Sequence, residues 1–415
     1  MKFECIYNDI NKALNSVTKV NAKSSTFPIL ELIHIEAEDN MITFRSTNLE
    51  LVIESSINAK VEVKGKIVIN YSNISKITNL IKSDSLKIEL VDNFLYIQSG
   101  KSKIKLQVNP YEDIPQVPAL NIKQDSMSIN KDILVNTIKS VSFAVANTDI
   151  KPEISSVYMY SMDSFLYVVA TDTFRLAENR ISLSNLINTS NNNRENNTDN
   201  KNNINSNTDI QNIDSTNIST QNIDINNKLS IMIPGKNVAI LLAILDSLST
   251  DIIEMSSYND GIIINNNNTF IAIRTINGNF PDYKQLFPKE WLGVISLDKT
   301  LLSSNLNATV LFKDSYSYSN FVIKGNTLYI KTNNNNIGSY ESEMEIKNLP
   351  AKEKEEVSNS DFELEAKYNS GLLLEGLSKL EGNKIKIHFT TPNKPIFIKS
   401  ESNNDFVYVL MPLNR

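Results

Sequence analysis

The sequence predicts an α+β chain of three repeated domains, each with two helices packed on β-sheet. Three observations predict this. At 415 residues the chain is long for a single domain. Three segments, 65–108, 229–275 and 362–411, share one order of elements: a short strand, an amphipathic helix, then strands separated by turns. Each follows, at some distance, another strand-then-helix start, at 2–20, 126–145 and 293–306.

In the first repeat Ile10, Ala13, Leu14 and Val17 share one helical face, and Lys12 and Lys19 share the opposite one. The repeat closes on the proline-containing stretch 111–118, a connector, because proline cannot donate to a sheet ladder. A second such stretch, 280–288, closes the middle repeat. Boundaries near Asn121 and Lys289 follow, giving domains 1–121, 122–289 and 290–415.

The middle repeat opens with a helix whose apolar set is Ile133, Leu134, Thr137, Ile138 and Val141. Lys131 and Lys139 fall outside that set. The strand-like run 165–169 then leads into Thr171-Asp172-Thr173, whose side chains can bond nearby amides and close a turn. Phe174, Arg175 and Leu176 follow at once, so a strand end offers a ring, a guanidinium and an aliphatic group. Such a set suits an extended peptide, although on this stretch alone a buried β-hairpin with one surface Arg is the better account. Residues 185–228 hold 17 Asn in 44 positions with no Gly, Pro or aromatic residue, too little apolar surface to offset ordering entropy. A disordered Asn-rich insertion is expected there.

Composition narrows the function. The single Cys5 excludes an internal disulfide framework and fits a reducing compartment. No run approaches the roughly 18 apolar residues of a membrane span, and the amino terminus shows no apolar signal core, so a cytoplasmic protein is expected. His34 and His388 each sit in strand-like alternation, and one Cys with two distant His gives no zinc spacing. Pro234-Gly235-Lys236 lacks the other glycine of a phosphate loop, and no Gly-x-Ser-x-Gly elbow appears. No catalytic, metal or cofactor site is expected. The net charge of −6 does not suggest nucleic acid; what matters is where the lysines sit.

Residues 170–177, ATDTFRLA, resemble the ATDG-x-RLA signature of the bacterial DNA polymerase sliding clamps, the β subunits of the replicative polymerase. Three further stretches agree in order and spacing once the insertion is set aside: TFPIL at 26–30, FPDYKQLFPK at 280–289 and YVLMPL at 408–413. The resemblance covers nearly the whole chain. It implies a non-catalytic homodimeric ring, helices inside and sheets outside, that encircles double-stranded DNA without reading sequence. Such a ring tethers the replicative polymerase, the clamp loader and repair proteins through a short peptide. The alternatives are a non-ring repeat scaffold that binds peptides, and a hydrolase, which the scarcity of His and Cys disfavours.

The resemblance also assigns residues. It turns Lys12, Lys19, Lys23, Lys76, Lys131, Lys139, Lys236, Lys299 and Lys379 toward DNA. Lysine suits a sliding contact, because a point charge attracts phosphate where the Arg fork commonly reads guanine. It pairs the end strand of the first domain, with Lys101, Lys103, Ile104 and Leu106, with the partner's third domain, where Val310, Leu311, Glu341, Glu343 and Glu345 match it. It places a partner-peptide cleft at Ile154, Thr171, Thr173, Phe174, Arg175, Leu176, Pro281, Gln285, Leu286, Val409, Met411, Pro412, Leu413 and Asn414. Thr173 replaces the family's usual Gly, and Gln285 and Asn414 stand where Arg is frequent. Ser24 and Ser25 stand beside Lys23 where an Arg often reaches DNA.

Overall fold

A computed structural model describes residues 1–21, 27–78, 84–109, 127–148, 150–187, 229–258, 260–312, 318–349 and 363–413. Six helices each follow directly on a strand, as the repeat grammar requires: α1 (Tyr7–Val17), α2 (Tyr71–Thr78), α3 (Lys131–Val141), α5 (Gly235–Ser247), α6 (Lys299–Leu311) and α7 (Ser370–Leu377), with a short α4 (Leu183–Ile187) between α3 and α5. Three of the six are capped alike. The side chains of Asn130, Asp298 and Asn369 accept from the amides of Ile133, Leu301 and Leu372 at 3.0, 2.8 and 3.0 Å, satisfying donors that a helix start leaves open. Helix α5 begins instead at Gly235, where a Cβ would stand 2.7 Å from Val145 Cγ1. Only glycine lets the helix start press against Val145, four residues past the end of α3.

The buried face of α1 is the predicted one, with Ile10, Ala13, Leu14 and Val17 all in the core. Helix α3 buries Leu134, Thr137, Ile138 and Val141 as expected, but it also buries Lys131, which is 7% exposed with its ammonium 2.9 Å from Asp132. The reading of Lys131 as an open, outward lysine is therefore corrected. It is the first helical residue, its amide is bonded to Asp251 O, and neighbouring structure covers the stem. The insertion also starts later than the composition suggests. Leu183 and Leu186, three apart on α4, are buried in the core, so 185–187 are helical; the expectation of disorder for 188–228 lies outside the described residues. The boundary expected near 121 does too.

Among the described residues the strands form four antiparallel sheets. An eight-stranded sheet joins first-repeat strands to those of the middle repeat through Leu51–Asn58 against Thr269–Arg274. A nine-stranded sheet joins the middle and last repeats through Arg175–Ser182 against Phe406–Leu410. At both joints the last strand of one repeat bonds to the strand after the second hairpin turn of the repeat before it. The remaining five- and four-stranded sheets have Ser102–Gln107 and Gly338–Glu345 as edge strands. His34 and His388 lie within strands. Burial, with Lys399 and Lys386 nearby, pushes the His388 imidazole down to about 4, as suits a structural side chain.

Candidate functional site

The turn at 171–175 closes on its own side chains. Thr171 Oγ1 donates to Arg175 O at 2.7 Å, and Asp172 Oδ1 accepts from the amides of Phe174 and Arg175 at 3.0 and 2.9 Å. This is the Thr-Asp chemistry read from the sequence. The third residue pays locally: Thr173 sits at φ 76°, where a β-branched side chain is strained. Phe174 is left 60% exposed at the tip.

Beyond the turn, alternation separates the next two residues, so Arg175 and Leu176 do not act side by side. The Arg175 guanidinium turns to the helices. It lies 2.9 Å from Asp172, donates to Glu375 of α7 at 2.6 Å and to Phe143 O after α3 at 2.9 Å, and covers the Phe143 ring. Burial opposes its charge, yet the Glu375 bond and the neighbouring acids hold its pKa above the ordinary value. Leu176 turns the other way, into a cluster with Val169, Tyr283, Phe397, Val407 and Val409.

That cluster is where the connector lands. The short 3-10 turn Tyr283–Leu286 drops Tyr283 onto the sheet, flanked by Phe280, Phe287 and Trp291. Beneath it Glu178, almost wholly buried, accepts from the Tyr283 hydroxyl and, at 2.7 Å, from Lys284 Nζ; the hydroxyls of Tyr283 and Tyr160 are 2.6 Å apart. Burial and then Glu178 push the Tyr283 phenol far up. Burial alone would lower Lys284, but its bond to Glu178 raises it. Sequence reading missed this network, because its members come from strands 156–162 and 175–182 and from the connector.

The structure places part of the predicted cleft set side by side. Thr171 and Leu176 face each other across one strand pair, Leu176 and Val409 across the next, and Met411 N donates to Phe174 O at 2.9 Å. Leu413 N donates to Lys367 O, which draws the tail toward the last repeat. Pro412 is buried; Pro281, Gln285 and Leu286 are exposed on the connector, with Gln285 bonded to Asp282. Ile154 is buried in a turn whose carbonyl accepts from Ala146 N. Asn414 lies outside the described residues.

The expected DNA-facing lysines differ among themselves. Lys12 and Lys379 are exposed and Lys19 is half-buried. Lys139 is 2.8 Å from Asp246 of α5, Lys236 is 2.7 Å from Glu50, and Lys299 Nζ donates to Leu380 O at 2.7 Å. Lys23 and the Lys76 side chain are outside the described residues. At the sheet edges, Lys101, Lys103 and Lys105 are exposed while Ile104 and Leu106 pack on the core. Leu311, at the end of α6, is 73% exposed; Val310 is half-buried. Glu341 pairs with Lys331 at 2.6 Å, and Glu343 and Glu345 are exposed on the same strand.

Residues 1–118 match the family model for the DNA polymerase III beta subunit, N-terminal domain, and residues 284–414 the model for its C-terminal domain. The chain is similar to the beta sliding clamp of Bacillus subtilis, 23% identical over 428 residues, which span 100% of this chain and 99% of that one. It is 25% identical over 419 residues to the clamp of Buchnera aphidicola from Rhopalosiphum padi, covering 100% of both. Solved structures share the fold. A Pseudomonas aeruginosa DNA polymerase III subunit beta superposes with a TM-score of 0.82 at 18% identity over 100% of both chains. A Pseudomonas aeruginosa sliding clamp bound to griselimycin superposes at 0.81 and 19% identity, also over 100% of both.

Proposed function

Because the chain belongs to the DNA polymerase III beta-subunit family and is a DNA sliding clamp, we propose that two copies close head to tail into a ring around duplex DNA. The sheet edges carry this reading. Within the chain, Thr269–Arg274 docks on Leu51–Asn58 and Phe406–Leu410 docks on Arg175–Ser182, last strand to preceding repeat each time. The first repeat's last strand, Ser102–Gln107, and the corresponding strand of the last repeat, Gly338–Glu345, are both sheet edges. One rule, applied a third time between copies, joins them and closes a twofold ring of six modules. Lys103 and Lys105 then face Glu341, Glu343 and Glu345, and Leu311 is covered. The modules are assigned as 1–121, 122–289 and 290–415.

In this reading the helices line the hole, and Lys12, Lys19 and Lys379 supply attraction without base recognition. The cleft around Leu176, Val409 and Met411 takes the short peptide of a replicative polymerase, clamp loader or repair protein, with Phe174 and Leu286 as its exposed apolar rim. Apolar walls with few polar groups describe such a pocket. Tethering in the cytoplasm, with no reaction of its own, is the proposed activity. The test is topological: a ring loaded on circular duplex should stay bound through a salt wash and leave once the circle is cut. Retention on linear duplex with free ends, or no retention on the circle, would remove the ring from this reading and favour a non-ring scaffold.

A further inference from the structure

The signature turn is built twice. At 47–51, Thr47 Oγ1 donates to Leu51 O at 3.0 Å, and Asn48 Oδ1 accepts from the amides of Glu50 and Leu51 at 3.1 and 2.7 Å. The amide of Leu49 bonds Thr47 Oγ1 at 2.9 Å, as the amide of Thr173 bonds Thr171 Oγ1 at 3.2 Å. Both third residues have φ 76°. The docking strands end alike as well. Arg274 N donates to Glu50 O at 2.8 Å as Met411 N does to Phe174 O, and Ile276 N donates to Met232 O at 2.9 Å as Leu413 N does to Lys367 O. Glu50 therefore stands where Phe174 stands, and Arg274 where Met411 stands.

A cavity of about 620 Å³ opens at this first-to-second-repeat junction, walled by Glu50, Lys236 and Arg274 together with the apolar Val145, Pro152 and Ile276. Its charge is uneven. Glu50 is already held by Lys236 Nζ at 2.7 Å and Asn237 Nδ2 at 2.9 Å, so its carboxylate is matched within the protein. Arg274 is exposed and makes no ion pair among the described residues. Among the described residues the wall is thus left with one guanidinium outside any ion pair beside an apolar patch, in a frame that at the other junction presents an exposed ring and a half-buried methionine.

We propose that this junction is a second peptide site, selective for an acidic segment that sets a carboxylate on Arg274 and an aliphatic side chain against Val145, Pro152 and Ile276. Arg is the residue suited to such a carboxylate, since its fork can take both oxygens. The proposal stands on this cavity and its charge and does not require the other cleft to bind peptide.

The test is fluorescence anisotropy of the full chain with a fluorescein-labelled eight-residue peptide of alternating Asp and Leu. Wild type should bind it, and a Lys-Leu peptide of the same length should not bind. Arg274→Ala should weaken binding about tenfold, in the range of a charge-assisted hydrogen bond, and Arg274→Lys should restore part of it. Arg274 is exposed, so both variants should melt with wild type. An unlabelled peptide of Gln, aliphatic and aromatic residues should not displace the probe. Displacement by that peptide would move the probe to the second-to-third junction and overturn the assignment. Undiminished binding in Arg274→Ala, or no binding to wild type, would overturn it as well.

Discussion

Lys284 Nζ lies 2.7 Å from the carboxylate of Glu178, and this contact fastens the connector to the sheet that joins the last two repeats. Glu178 is buried and its side chain also accepts from Tyr283, so removing it strands two donors. Glu178→Ala is expected to cost about 1–3 kcal/mol, less than a fully buried pair because Lys284 reaches solvent. Urea unfolding monitored at Trp291, which packs on Phe397 in the same cluster, reads this directly. An unshifted midpoint would show that the connector is held by its aromatic side chains alone.

His388 gives stability a pH slope. Its folded pKa, about 4, lies below the ordinary histidine value near 6.5, so between the two the unfolded chain binds more protons. Stability is therefore full above about 6.5 and falls as pH drops through 4, by on the order of 3 kcal/mol in all. His388→Phe, which keeps a ring against Trp291, should flatten the slope between pH 6.5 and 5, above the range where most carboxylates titrate. Melting temperatures across that interval would show an unchanged slope if some other group carries it.

Thr173 is held at φ 76° by bonds from its neighbours rather than by its own preference. Thr173→Gly relieves the strain of a β-branched residue there, an effect on the order of 1 kcal/mol after the added chain entropy of glycine. A higher melting temperature is expected, with the turn's hydrogen bonds retained. A lower one would mean that the Thr173 side chain contributes more than the strain costs.

What was legible in the sequence was local, and what was not was brought in from elsewhere. The strand-helix starts at α1 and α3 are visible because an apolar face repeats every three to four residues where the helix lies on a sheet, whereas α5 is apolar almost all round. The same wheel drawn for α3 puts Lys131 outside the apolar set, but it says nothing of what covers the first helical turn, and there the ammonium is buried. Lys139 and Asp246 are 107 positions apart, and no pattern in either helix joins them. The opposite facing of Arg175 and Leu176, by contrast, was available from strand alternation alone. So was the second turn: Thr47-Asn48 and Thr171-Asp172 are 124 positions apart, one repeat length, and both open a β-hairpin turn.

For DNA, the lysines should divide by what already holds them. Lys12, Lys19 and Lys379 make no ion pair among the described residues, so replacing all three by Ala should flatten the dependence of log K on log salt by up to about 3. Lys131→Ala should leave that slope unchanged and lower the melting temperature instead, because its ammonium is buried against Asp132. Filter binding of linear duplex across a salt series distinguishes the two groups. Equal effects would mean that burial in the isolated chain does not predict the phosphate contacts.

The subunit joint can be tested through Leu311, which is 73% exposed on a helix end that otherwise packs Leu302 and Leu306 into the core. A large aliphatic side chain left in water at the end of α6, beside the sheet whose edge is Gly338–Glu345, is explained if a second copy covers it. Burial of one such side chain contributes about 1.5–3 kcal/mol, and a closed twofold ring counts it at both joints. Leu311→Asp sets a carboxylate at the helix end that meets the strand carrying Glu341 and Glu343, through Phe312 against Tyr340, so the joint loses apolar area and gains negative charge. The variant should sediment as a folded monomer at concentrations where wild type is dimeric, with its melting curve otherwise preserved because Leu311 lies outside its own core. Reversing Lys103 and Lys105 to Glu should produce the same monomer. Combining that change with Lys at Glu341 and Glu343 should recover part of the dimer, since the opposed charges are again unlike. Loss of the dimer in neither variant would place the joint elsewhere. Loss in both without recovery in the combination would leave Leu311 at the joint and take the charged strands out of register with each other.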